Sequence, residues 1–450
     1  MAASGDDVAV LERVLHRLVM TPDDKLSEVL DKLLPRLVAK LNDKNDPTMR
    51  QKTVEVLSHV SKRVRPNTAI QLPCAELLAV YKSVLPGSFS FNFALVYLEM
   101  GLPRTSPADR PALSIGLMRG ISRLPRHGAQ QNAVLNLLLA CLDAVPLSLR
   151  PSPPSAMLGT AATSGRAAGA PAPLQTIQSV SGRAVAATAA AAADTGAEAP
   201  LSPADVAEVA DFLLDLAIYP GPLTRECSVY HGLSAAGLAR LTLKEKAWPR
   251  ALLTARKLQA LRALRSDLFP AAPLVPVALT AACDTHHEVI KSAEDLLKSL
   301  AAAERGGAMT DDAALAATLF GLVLGGSGGR VGCDDGAAGR PPESRAPASA
   351  ALTVRAVSWL LSECPGGVIA RVPDAVRAVF HCLVAPNEEL AGDRASFSRM
   401  RASGAALAAF VAGRVDPNLL PLVGPLLLQA VQRVLLANRD GGGGGGGAGD

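Results

Sequence analysis

Residues 26–64 read LSEVLDKLLPRLVAKLNDKNDPTMRQKTVEVLSHVSKRV, and residues 274–300 read LVPVALTAACDTHHEVIKSAEDLLKSL. One spaced signature runs through both. In the first, Leu33, Leu34 and Pro35 are followed by Asp43 and then by Met49 and Arg50. In the second, Leu274, Val275 and Pro276 are followed by Asp284 and then by Ile290 and Lys291. Each time the acid falls eight residues after the proline and the base fifteen after it. The spacing predicts a helix–turn–helix unit. Its first helix accommodates a proline, its Asp caps the second helix, and its base sits early in that second helix.

Apolar periodicity agrees with this reading. Leu26, Val29, Leu30, Leu33, Leu34, Leu37 and Leu41 share one face at helical spacing. A polar turn over 42–47 follows, with Asp46 as N-cap and Pro47 at the first helical position. Met49, Val54, Leu57, Val60 and Val64 then form the inward stripe of the partner helix. In the second unit the stripe is Val289, Ile290, Ala293, Leu296, Leu297 and Leu300. Neither helix of a unit buries its stripe alone, so units must stack. The pattern resembles the HEAT repeat, and it implies an all-α, HEAT/armadillo-like helical-repeat solenoid with two low-complexity insertions.

Composition points the same way. The chain has 450 residues, long for one ordinary domain and suited to a solenoid. Aromatic residues make up only 3%, which favours helix packing over sheet. With 45 basic and 41 acidic residues the net charge is +4, too small an excess to predict nucleic-acid binding. No apolar run reaches the roughly 20 residues of a membrane span. The seven cysteines are scattered with no CxxC pair, so a reducing compartment, cytosol or nucleus, is expected.

Along the chain, helical repeats are expected over 1–145, 201–324 and 350–438. Residues 146–200 and 325–349 are dense in Ala, Gly, Ser and Pro and read as disordered insertions, and 439–450 as a Gly-rich tail. The last helical stretch, from Leu419 to Leu436, is apolar on most sides and calls for a further neighbour: a second copy, or repeats of a longer protein.

No constellation of site chemistry stands out. His286, His287 and Glu288 lack the i, i+4 histidine pair of a zinc helix and read as a turn. The glycines over 325–336 are not followed by Lys-Ser/Thr, so they read as a loop rather than a phosphate cradle. No catalytic residue, cofactor site or metal site is expected. Phe89, Phe91 and Phe93 read as core, with a docking patch as the alternative. One run invites a partner: Lys244, Lys246, Arg250, Arg256, Lys257 and Arg262, flanked by Arg240 and Arg265, with Glu245 the only acid. It reads either as a basic stripe that meets an acidic surface or as a solvated helix face.

The first 145 residues go beyond a generic repeat. Leu11–Val14, Leu33–Leu37, Val54–Arg63, Ile70–Pro73 and Phe91–Gly101 occur in an order that resembles the N-terminus of the proteasome adapter and scaffold family. Residues 283–289 and 293–296 resemble the same region. The resemblance implies a non-catalytic adapter that binds the 26S proteasome, tethers core and regulatory particles and controls the quality of their assembly. No cofactor, no nucleic-acid partner and no membrane span are expected, and the expected compartment is the cytoplasm and also the nucleus. An importin-like transport receptor, which uses similar repeats on other cargo, is the alternative.

Overall fold

The computed structural model describes residues 4–41, 47–145, 201–221, 231–242, 248–266, 268–269, 273–305, 312–325, 346–384 and 394–440. Its described residues contain eighteen α-helices and no strand. The first seven are α1 (Ser4–Met20), α2 (Asp23–Ala39), α3 (Pro47–Val64), α4 (Cys74–Ser83), α5 (Phe89–Gly101), α6 (Arg110–Met118) and α7 (Ala129–Cys141). Next come α8 (Pro203–Ile218), α9 (Ala235–Thr242), α10 (Arg250–Ala263), α11 (Leu274–Ala281), α12 (His287–Arg305) and α13 (Asp312–Leu324). The chain ends with α14 (Ala350–Glu363), α15 (Pro365–Ala370), α16 (Val372–Leu383), α17 (Arg394–Arg414) and α18 (Leu420–Asp440).

The main helix contacts join near neighbours in chain order, which is the mark of a solenoid. Helices α2 and α3, α4 and α5, α6 and α7, α11 and α12, and α16 and α17 pack as hairpins. Hairpins then stack: α2 on α4, α4 on α6, α6 on α8, α8 on α11, α11 on α14 and α14 on α17. One apolar cluster runs through the stack from Leu11 to Ala430.

The expected stripes form this core. Leu26, Leu30, Leu34, Leu37 and Leu41 are buried, with Val29 and Leu33 packed at the edge. Val10 of α1 is exposed. Pro47 opens α3 as read, where a missing amide costs nothing. The two signature prolines differ. Pro35 lies well inside α2, whereas Pro276 falls in the first turn of α11, where its amide would have no intrahelical partner anyway. All eight residues of α11 are buried, among α8, α12 and α14.

The insertion over 146–200, most of that over 325–349 and nearly all of the tail lie outside the described residues. Residues 346–349 correct one boundary, because they belong to the packed body. Ala348 is buried, the Pro347 carbonyl accepts from the Gly232 amide at 3.1 Å, and Ser349 caps α14 by accepting from the Leu352 amide. On α18, Val423, Leu427 and Ala430 are buried, while Leu422, Leu428, Leu435 and Leu436 are exposed. No helix of the described residues is long and apolar enough to cross a membrane.

Candidate interaction surface

A helix leaves its last four carbonyls without intrahelical partners, and its C-terminus carries partial negative charge. This chain answers with bases sent back from the next repeat. Arg63 donates to the carbonyls of Leu18 and Thr21 at the end of α1 and also meets Asp23. Arg104 donates to the Val64 carbonyl at the end of α3 and to those of Asn67 and Ile70. Arg123 donates to the carbonyls of Tyr81 and Lys82 at the end of α4. Lys257 donates to the Ala217 carbonyl near the end of α8 at 3.1 Å. The reach to the end of the helix is 40 to 45 residues in all four cases, one repeat length. Arg256 does the same to the Leu139 carbonyl of α7, across the 146–200 segment.

These contacts settle where the expected basic stripe lies. Lys244 and Lys246 are outside the described residues. Arg250 and Arg262 are exposed, Arg256 is half-buried and Lys257 is only 5% exposed. The four described members therefore form no continuous solvent-facing row, and Lys257 is turned inward onto the Ala217 carbonyl and Asp284. The reason is packing. Helix α10 touches α12 and the turn after α7, so positions 256 and 257 point at carbonyl-rich helix ends. Flanking Arg240 is 1% exposed, paired with Asp211 at 3.2 Å and with Asp215.

Asp284 is likewise more than a cap. Its Oδ1 accepts from the His286 amide at 2.8 Å, closing a turn ahead of α12 instead of capping its first residue. Its Oδ2 lies 2.6 Å from Lys257 Nζ, which joins two consecutive repeats. Burial raises the Asp284 carboxyl, but Lys257 and the His286 donors hold it, on balance, below the usual carboxylate value. Burial also lowers the Lys257 ammonium by more than Asp284 restores. Both shifts describe a pair taken out of water. His286 extends it: Arg250 Nε donates to Nε2 at 3.1 Å, so Nδ1 carries the proton toward Asp284 Oδ1 at 3.1 Å. The histidine turn is thus an inter-repeat brace. Asp43, its counterpart in the first unit, lies outside the described residues.

Helix α8 carries a second brace that periodicity did not reveal. Asp205, 5% exposed, accepts from the amides of Gly120 and Ser122 at 3.0 and 2.9 Å and from the Ser122 hydroxyl at 2.7 Å. Burial raises its carboxyl, and these donors together with Ser202 bring it, on balance, below the usual value. Gly120 ends α6 at φ 76, a left-handed turn that presents both amides. Further along α8, Glu208 accepts from Gln131 at 3.2 Å and Asp211 pairs with Arg126 at 3.0 Å. Gly237 lies against the Asp215 carboxylate so closely that a Cβ would stand 2.5 Å from its oxygen. An i, i+3 series of acids on an otherwise apolar helix was the available signal.

The chemistry of these groups is structural. Burial pushes the Cys141 and Cys382 thiols up to about 12 and the Cys283 thiol up to about 11, far from nucleophilic thiolates. Among the described residues no cluster of His, Cys, Asp and Glu could hold a metal ion. Of the phenylalanines read as core, Phe91 is buried and Phe93 half-buried, but Phe89 is exposed beneath the Arg50 guanidinium.

Two curated proteins are similar to this chain. The human "Proteasome adapter and scaffold protein ECM29" is 33% identical over 142 residues, covering 31% of this chain and 8% of that protein. The Drosophila melanogaster "Proteasome-associated protein ECM29 homolog" is 30% identical over 153 residues, covering 34% of this chain and 8% of that protein. No solved structure matches. The match that spans the solenoid is to a family described as proteasome component ECM29, N-terminal, over residues 11–441, and the chain belongs to that family.

Proposed function

We propose that this chain is a non-catalytic adapter module of the 26S proteasome, helping to tether core and regulatory particles and to check their assembly. The observation that carries the reading is the family match over residues 11–441, laid on a stack of helical repeats. The use of buried charge supports it. Lys257, Asp284 and Asp205 brace repeat against repeat, as an adapter must to transmit position along its length, and Arg240 ties α9 to α8. The elevated thiols support a role without nucleophilic chemistry. The cytoplasm and nucleus are the compartments proposed.

The test uses the 450-residue chain, tagged and purified, with purified core particle, regulatory particle and their complex. Native electrophoresis reads which species it shifts, and cross-linking identifies the contacted subunits. The reading expects a shift of the complex and slower separation of its two particles. It fails if no particle is shifted while a pull-down from native extract returns transport receptors or their cargo.

A further inference from the structure

Helices α3 and α5 lie side by side and leave a groove of about 310 Å³ between them. Its floor is apolar, with Leu57 from α3 and Phe93 and Val96 from α5. Val96 is 41% exposed, so the apolar surface beside the cavity is open to solvent. The α3 wall is polar and basic: the hydroxyls of Ser58 and Ser61, then Lys62 and Arg65. No acidic residue lines the groove. The nearest acid of α3, Glu55, is held by Lys52 at 3.2 Å, and Lys52 also meets Glu12 of α1. Lys62 and Arg65 have no ion-pair partner in the described residues, so their charge is available to a ligand.

The groove is built before anything binds. The buried Tyr97 hydroxyl donates to the Leu57 carbonyl at 2.6 Å and locks α5 against α3 along the floor. Ser61 Oγ lies 3.9 Å from Met100 Sδ at one end. Nearer the N-termini of both helices, Arg50 of α3 lies 5.1 Å from the ring of exposed Phe89 of α5. Such an apolar floor with a one-sided basic rim is complementary to a segment with the opposite pattern. Two apolar side chains would seat over Phe93 and Val96, and carboxylates would meet Lys62 and Arg65. A preformed groove lowers the ordering cost of that binding.

We propose that the α3–α5 groove is a docking site for an acidic, amphipathic protein segment, recognised by apolar anchors on its floor and carboxylates at Lys62 and Arg65. The occupant is a peptide and not a nucleic acid, because the groove offers an apolar floor beside only two free bases, too few for a phosphate-tracking surface.

The test is fluorescence anisotropy on the whole 450-residue chain. The probe is a labelled synthetic peptide of about twelve residues, rich in Glu, with two Leu four apart to form a helical stripe. Saturable binding is expected, weakening as salt rises. Lys62→Glu with Arg65→Glu, and separately Val96→Glu, should each weaken it about tenfold or more, the scale of an anchoring contact. Arg262→Glu, an exposed base far along the chain, should leave it unchanged. Replacing both Leu of the peptide by Ser should abolish it, and polyuridine should not compete. All three sites are solvent-facing, and thermal melts confirm that each variant keeps its fold. The proposal is overturned by absence of peptide binding. It is equally overturned if Arg262→Glu weakens binding as much as the groove variants, if the Ser peptide binds as well, or if polyuridine displaces the probe.

Discussion

Helices α3 and α10 each carry four Arg or Lys residues and a fifth just beyond the last turn. They use them in opposite ways. From α10, Arg256 and Lys257 reach the carbonyls of Leu139 and Ala217, Arg265 beyond the helix reaches that of Ser292, and Arg250 meets His286. From α3, among the described residues, Arg63 reaches back to carbonyls of the preceding repeat, while Lys62 and Arg65 face an open groove. Charge density along a helix therefore does not tell a docking surface from a brace. What decides is whether a neighbouring helix ends within reach of the base. Helix α10 has α12 on one side and the turn after α7 on another. Helix α3 has a groove beside it.

The contrast is sharpest at Lys257. Replacing it with Met leaves the Asp284 carboxylate buried without its counter-charge and the Ala217 carbonyl without a donor. A loss of roughly 3–5 kcal/mol is expected, the range for removing one member of a buried pair. Adding Asp284→Asn should restore much of it, because the isolated charge goes with it. Denaturant unfolding of the single and double variants measures both. If Lys257→Met alone left the midpoint unchanged, α10 would be no brace, and its bases would return to the surface.

Asp205 comes next. Its carboxylate gathers three donors from the 120–122 turn, so Asp205→Ala should cost about 2–3 kcal/mol, the scale of hydrogen bonds to a charged group left unmade. The same geometry sets an acid dependence. Asp205 and Asp284 both have carboxyls below their ordinary value, so the unfolded chain takes up protons first on acidification. Their stabilising contribution is complete above about pH 4, the unfolded carboxylate range, and is lost as pH falls through the lower folded values. Unfolding midpoints recorded downward from pH 6 should fall more steeply for the parent than for Asp205→Asn. Parallel curves would remove Asp205 from the brace.

The sequence made the helical stripes legible because burial repeats every 3.6 residues, and Leu26, Leu30, Leu34, Leu57 and Val60 are core as read. The Pro–Asp–base spacing located two real hairpins, and the ordered segments of the first 145 residues resembled the family to which the chain belongs. The site was far less legible. Lys257 and Arg262 look alike in a basic run, and their difference is set by where α8 ends, 40 residues upstream of Lys257. Asp284 was read as a local cap because its turn hydrogen bond is local. Its partner Lys257 lies in the preceding repeat, and no spacing within the hairpin encodes it. The α3–α5 groove is legible only as the alternative reading of Phe89, Phe91 and Phe93, for a related reason. Phe89, Phe93 and Val96 sit in an apolar run, and only the packing of α5 shows which of them meet solvent.

The smallest expected effect is also the most discriminating. Lys62→Gln with Arg65→Gln shortens both side chains and removes both charges but disturbs no described ion pair, so stability should stay within about 0.5 kcal/mol of the parent. The matched change on α10, Arg256→Gln, shortens the reach to the Leu139 carbonyl and strands a helix end. It should cost about 1 kcal/mol or more, the scale of one lost hydrogen bond to a charged donor. Chemical denaturation of the two variants under identical buffer measures the difference directly. Equal losses would mean that the bases of α3 are also structural, and the groove would lose its claim to free charge. No loss in the first and a clear loss in the second would fix the division of labour. One helix holds the stack together, and the other leaves its charge available to a ligand.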